Sequence, residues 1–234
     1  MIVAVVGGKG GVGKSTIALN LGYELEAAVV DADLSMADLP RGRGPDLHDV
    51  LAGRADPLEA VQQVGPVEMV PCGRTLAGAR AADLTELEGA LGALDREFGR
   101  VVVDCPAGLA ADVATPLAVA DAAVLVTTDE EAAVLDGERT RALAREVGTP
   151  IGGVVCNRVD GEPGIDLEDA LGGPVTVVPE DPVVRQAQAT GRPVASLDPE
   201  NVVVERIASL ARTITRGGRR LSGSPGGRRQ SSES

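Results

Sequence analysis

Short runs of β-branched apolar residues alternate with longer stretches in which apolar positions recur every three or four residues. Residues 2–6, 28–30, 67–70, 101–103, 122–127, 151–155 and 175–178 read as strands, because compact apolar runs of this length fit the pleated backbone. Residues 14–26, 82–98, 131–147 and 182–190 carry the helical period, and 200–215 a closing helix. Shorter helical pieces are expected at 47–52 and 57–64. The strands are apolar almost throughout, which suits strands covered on both faces. Repeated strand–helix units predict mostly parallel pairing through right-handed crossovers. The expectation is a three-layer α/β fold with a mostly parallel sheet of about seven or eight strands and helices on both faces. No internal repeat is present, and 1–216 is expected to form one domain.

Composition sharpens this picture. The chain has one Tyr, one Phe and no Trp, so its core must be built from Val, Leu, Ile and Ala. Net charge is −13, and it is unevenly spread. Residues 212–234 hold six arginines and one acid, a net of +5, whereas 1–211 hold 16 cations and 34 acids, a net of −18. The acidic body argues against indiscriminate coating of nucleic acid. The Gly/Ser/Arg-rich segment 217–234 has little to bury and is expected to be a disordered tail. Acid-rich, lysine-poor composition fits either a salt-rich cytosol or Arg-favouring codon usage. Three scattered cysteines, Cys72, Cys105 and Cys156, exclude a fully paired disulfide framework and suggest a reducing compartment. Without a basic leader or a membrane-length apolar run, the chain reads as a soluble cytoplasmic protein.

The clearest chemistry follows the first strand. Gly8-Lys9-Gly10-Gly11-Val12-Gly13-Lys14-Ser15-Thr16 fits G-x-x-x-x-G-K-[ST] between a strand and a helix. Such glycines let successive backbone N–H groups face phosphate oxygens, and the helix start adds its positive end. Lys14 is placed to neutralise the β- and γ-phosphates of a nucleotide, and Ser15 to ligate Mg²⁺. Only two of the 22 cations are lysines, and both lie in this loop. A compact ammonium on a long stem fits between phosphates where a planar guanidinium would not.

Lys9 completes the pattern KGGVGK[ST], in which the chain closely resembles the deviant P-loop ATPases of the MinD/ParA branch. The resemblance implies that Lys9 reaches the partner's nucleotide across an ATP-bound sandwich homodimer and assists hydrolysis. It continues in Val29-Val30-Asp31-Ala32-Asp33-Leu34. There Asp31 would lie near the magnesium and Asp33 would position the attacking water. It continues again in Val101-Val102-Val103-Asp104-Cys105-Pro106-Ala107-Gly108, where Asp104 would hold a magnesium water and Gly108 could sense the γ-phosphate. Leu47-His48-Asp49-Val50-Leu51-Ala52-Gly53 and Val178-Pro179-Glu180-Asp181 are similar to MinD segments, so the resemblance covers 1–216. It implies ATP and Mg²⁺ as cofactors, with Asn157, Arg158 and the backbone near Pro179 at the base. Asn157-Arg158-Val159-Asp160 also resembles the guanine-reading N-K-x-D pattern, which keeps GTP open.

Lone His48 reads as structural, the cysteines as buried packing, and Asp129-Glu130-Glu131 as a solvated helix start. The helix from Glu131 is a partner-surface candidate. The resemblance implies a spatial switch, in which ATP-driven dimerisation and slow hydrolysis position cellular components, with a regulatory protein partner. Contact with a membrane or nucleoid is open, because the segment after Thr215 lacks the apolar face of a membrane-targeting helix. ParA-like DNA partitioning, a metal-cluster or cofactor carrier, and a non-catalytic adaptor are the alternatives.

Overall fold

The structure is a computed structural model that describes residues 1–34, 39–40, 43–73, 75–108 and 111–222. Eight strands form one sheet: β1 (Ile2–Val6), β2 (Ala28–Asp31), β3 (Gln62–Val64), β4 (Val67–Val70), β5 (Val101–Asp104), β6 (Ala122–Thr127), β7 (Ile151–Asn157) and β8 (Val175–Val178). Their spatial order is β3-β4-β2-β5-β1-β6-β7-β8. Every neighbouring pair is parallel except β3–β4. The helices are α1 (Lys14–Leu25), α2 (Leu47–Leu51), α3 (Leu76–Ala81), α4 (Leu87–Phe98), α5 (Ala111–Val119), α6 (Glu131–Glu146), α7 (Leu167–Leu171), α8 (Pro182–Thr190) and α9 (Val202–Ser222).

The period-2 geometry of a strand divides the core in two. Ile2, Ala4 and Val6 of β1 face a cluster with Leu51 of α2, Leu91 and Leu94 of α4, Leu117 of α5 and Leu171 of α7. Val3 and Val5 face the opposite cluster, with Ile17 and Leu21 of α1, Ala187 of α8, and Ile207 and Leu210 of α9. Each fully buried aliphatic side chain is worth about 1.5–3 kcal/mol of transfer free energy, so these two layers dominate the stability. The expected three-layer architecture is therefore observed.

Several elements differ from the sequence reading. Residues 57–64 are not a helical piece; they end in β3, the antiparallel edge strand. The hairpin to β4 has only Gly65-Pro66 between strands. Gly65 adopts φ 60°, the left-handed value that a two-residue hairpin favours at this position. The helix expected over 82–98 is split into a short 3₁₀ turn, Leu84–Glu86, and α4. Helices α3, α5 and α7 were not anticipated. Helix α9 runs to Ser222, past the expected boundary at 216 and across Gly217 and Gly218. The rest of the expected tail, 223–234, lies outside the described residues.

Candidate nucleotide site

The candidate site lies at the carboxyl ends of β1, β2 and β5, where open α/β sheets commonly bind ligands. β1 delivers the glycine-rich loop, and α1 begins at Lys14. Gly13 caps α1 at φ 101°, and a Cβ there would stand 2.2 Å from Asn157 Nδ2. A side chain is thus excluded on two counts. Asn157, at the end of β7, donates from Nδ2 to the Val12 carbonyl at 2.8 Å and braces the loop from across the fold. Gly8 lies directly against α6, since a Cβ would meet the Asp136 carbonyl at 2.4 Å. Asn20 steadies the first turns of α1, donating to the Thr16 carbonyl at 2.8 Å while accepting from the Val194 amide at 2.8 Å.

The two lysines occupy different places. Lys14 is buried within its own loop. The Lys9 side chain is 35% exposed and extends to Glu130, with Nζ 2.5 Å from Oε2. Hydrogen bonding to Lys9 holds the Glu130 carboxyl below its usual range. Glu130 is exposed, as a solvated helix start should be, but its contact with Lys9 joins residues 121 positions apart that no local pattern links.

β2 and β5 place Asp31 directly opposite Asp104 in register, and both side chains are almost wholly buried. Asp31 accepts from the Asp33 amide at 3.2 Å and the Leu39 amide at 3.4 Å. Burial, followed by the charge of Asp104, pushes the Asp31 carboxyl up to about 8. Two adjacent buried carboxylates are a setting in which a cation lowers the free energy. With the Ser15 hydroxyl they would make an all-oxygen donor set, the chemistry that a hard divalent ion such as Mg²⁺ prefers. Among the described residues no group of three or more His, Cys, Asp or Glu could hold a metal alone. Asp33 is half-buried at the mouth of this pair.

The residues expected around the base are also brought together. Thr16, Asn157, Arg158, Pro179 and Arg185 line a cavity of about 280 Å³ beside the loop. Arg158 is exposed with φ 62°, an uncommon conformation for a residue with a Cβ. Asp181 is occupied elsewhere: it caps α8 by accepting from the Val183 amide at 2.7 Å, and it accepts from Asn201 Nδ2 at 3.2 Å.

His48 and the cysteines take the structural places expected of them. His48 is buried, with Nε2 3.6 Å from Cys72 Sγ. Cys72, Cys105 and Cys156 are buried, and none of the three forms a disulfide among the described residues. No helix among the described residues is long and apolar enough to cross a membrane.

Residues 3–194 match the CobQ/CobB/MinD/ParA nucleotide binding domain. The chain belongs to this MinD/ParA family. An uncharacterised ATP-binding protein of Methanocaldococcus jannaschii is 36% identical over 226 residues, covering 89% of this chain and 85% of that one. The cell division ATPase MinD of Pyrococcus furiosus superimposes with a TM-score of 0.85 at 31% identity, covering 92% of this chain and 98% of that structure. The septum site-determining protein MinD of Pyrococcus horikoshii, complexed with Mg-ADP, gives 0.84 at 29% identity, with 95% and 97% covered. This MinD/ParA family member binds ATP and is an ATP hydrolase.

Proposed function

We propose that the chain is a MinD-type spatial switch, in which ATP binding assembles a face-to-face homodimer and slow hydrolysis takes it apart. The contrast between its two lysines carries this reading: Lys14 is buried in its own loop, whereas Lys9 is 35% exposed and held at the rim by Glu130. An ammonium already inside the loop serves the bound nucleotide. One held at the rim by an exposed ion pair can be released to reach a second subunit.

In this reading Gly8, Gly10, Gly11, Val12, Gly13 and Thr16 surround the phosphates with backbone N–H groups, and Lys14 neutralises them. Ser15, Asp31 and Asp104 would hold Mg²⁺, directly or through water. Mg²⁺ supplies charge neutralisation on the phosphate oxygens and fixes their orientation. Asp33 orients the attacking water, and Lys9 of the partner subunit contributes charge stabilisation. Asn157, Arg158 and the backbone at Pro179 hold the base in the cavity beside Thr16. Phosphoryl transfer depends mainly on positioning and electrostatics, so this modest set of side chains is sufficient.

The test is size-exclusion chromatography of Asp33→Ala with ATP, with ADP and without nucleotide. A dimer with ATP alone is expected; a monomer in all three conditions overturns the reading. Co-sedimentation of the ATP-bound dimer with liposomes or with DNA then distinguishes a membrane-based switch from partitioning on a nucleoid. A Lys9→Ala variant that dimerises and turns over ATP like wild type would also overturn it.

A further inference from the structure

Asp31 stands in register with Asp104, and two buried carboxyls on adjacent strands repel when both are ionised. The two oxygens of Asp31 are nonetheless each held by a different amide. Oδ1 accepts from Asp33, two residues on, and Oδ2 accepts from Leu39, eight residues on. The first amide comes with the end of β2. The second has no local reason to be there, so contacts farther along the chain must hold it. At 3.4 Å it is also a long hydrogen bond, which its own strength would not keep in place.

Two contacts supply that hold. The Leu39 side chain is buried in the cluster that contains Ile17 and Leu21 of α1 and Ala187 of α8. Pro40 sits on Gly191, the left-handed residue that closes α8 at φ 63°. The fit is tight: a Cβ at Gly191 would stand 2.6 Å from Pro40 Cβ and 2.7 Å from Pro40 Cγ. Gly191 is itself a fixed post. The Arg192 amide donates to the Ala187 carbonyl at 3.0 Å, and the Val194 amide donates to Asn20 Oδ1 at 2.8 Å, tying the end of α8 to α1. A proline ring fixes its own φ and restricts the residue before it, so a seat for the ring also restrains Leu39.

We propose that Pro40 seated on Gly191 is a positioning clip for the cation site. It sets the Leu39 amide against Asp31, and so makes the Mg²⁺ affinity of Asp31 and Asp104 depend on a contact at the carboxyl end of α8. The inference rests on the reading of Asp31 and Asp104 as residues that hold Mg²⁺, directly or through water. A carboxylate oxygen accepts more than one partner, so the amide orients Asp31 without consuming it. Partners that orient a metal-binding side chain govern affinity strongly, by about 10–100-fold when they are removed.

The experiment measures ADP binding by calorimetry across a series of Mg²⁺ concentrations and in EDTA, using the full-length chain. ADP reports affinity and not turnover. Gly191→Ala drives a methyl into the ring, and should raise the Mg²⁺ concentration for half-maximal strengthening of ADP binding about tenfold. Its ADP affinity in EDTA should match wild type. Pro40→Gly, which adds no strain at Gly191, should shift the Mg²⁺ titration in the same direction. The double variant Pro40→Gly/Gly191→Ala places one methyl in the vacated seat, and should lie nearer wild type than Gly191→Ala does. The left-handed strain at position 191 is common to the single and double variants, so the recovery measures the contact alone. An unchanged Mg²⁺ titration in Pro40→Gly overturns the proposal, as does a double variant no better than Gly191→Ala. Equal losses with and without Mg²⁺ in the single variants also overturn it, since the contact would then serve the fold and not the ion. Wild-type ADP binding that ignores Mg²⁺ is a separate result, which refutes the cation reading itself and the inference with it.

Discussion

Lys9 Nζ lies 2.5 Å from Glu130 Oε2, joining the phosphate loop to the start of α6 across 121 residues of sequence. A lysine that serves a partner's nucleotide must leave this contact first. Glu130→Gln should therefore lower the ATP concentration needed for half-maximal dimerisation. The gain should be no more than about fivefold, because both side chains are substantially exposed and such pairs are weak. Light scattering across an ATP titration measures it, and an unchanged midpoint would show that the contact does not restrain Lys9.

Lys14→Ala should abolish nucleotide-dependent stabilisation. Wild type should melt at higher temperature as ATP rises, following the mass-action law for a ligand that binds only the folded state. The variant should show no such rise while keeping its nucleotide-free transition within a few degrees of wild type.

Asn157→Ala removes the 2.8 Å hydrogen bond to the Val12 carbonyl and leaves that buried acceptor without it. A cost of about 1–3 kcal/mol in stability is expected. Weaker nucleotide binding should accompany it, because the phosphate loop loses its brace. Urea denaturation and nucleotide titration separate the two effects.

Asp31 titrates at about 8 in the folded protein against an ordinary value of 3.8. Between those values the folded chain retains a proton that the unfolded chain has released. Stability of the nucleotide-free protein should therefore fall as pH rises through this window and level off above it. Asp31→Asn should flatten that slope and be the more stable protein at alkaline pH. Denaturation curves collected across the range check the sign. Equal slopes would show that burying the Asp31 carboxyl beside Asp104 costs nothing.

Burial pushes the Cys72 thiol up to about 12 and the Cys156 thiol up to about 11. Thiolate is the reactive form, so the native protein should be nearly inert to a thiol reagent at neutral pH. All three cysteines should react once the chain is unfolded. Rapid modification of the native state would indicate local opening near β4 or β7.

What sequence alone disclosed depended on how local the signal was. β1, the loop from Gly8 to Thr16 and α1 were legible because strand, glycines and helix follow one another without interruption. The carboxylates Asp31, Asp33 and Asp104 were legible because each ends or follows an apolar strand. The β3 hairpin was misread, since Pro57–Val64 carries apolar residues at spacings that also suit a helix. Helix α5 escaped notice because Pro116 sits inside it, where proline removes a backbone donor. The contacts of Glu130 with Lys9 and of Asp136 with Gly8 were invisible because they form only when β6 delivers α6 to the loop. Sequence offered the candidate groups for the chemistry; the packing that restrains them required the fold.

The position of β1 in the sheet carries a consequence for biosynthesis. It is made before both of its neighbours, which are β5, paired Ile2 to Val101, and β6, paired Val3 to Ala122. Long-range pairings of this kind slow folding, because loop-closure entropy must be overcome before any contact rewards it. During translation β1 emerges before β5 and β6 and stays without either neighbour until the intervening chain has been synthesised. A nascent chain shorter than that has the complete glycine-rich motif in its sequence but not the sheet that shapes it. ATP capture on the ribosome should therefore begin abruptly, only after β6 has cleared the exit tunnel.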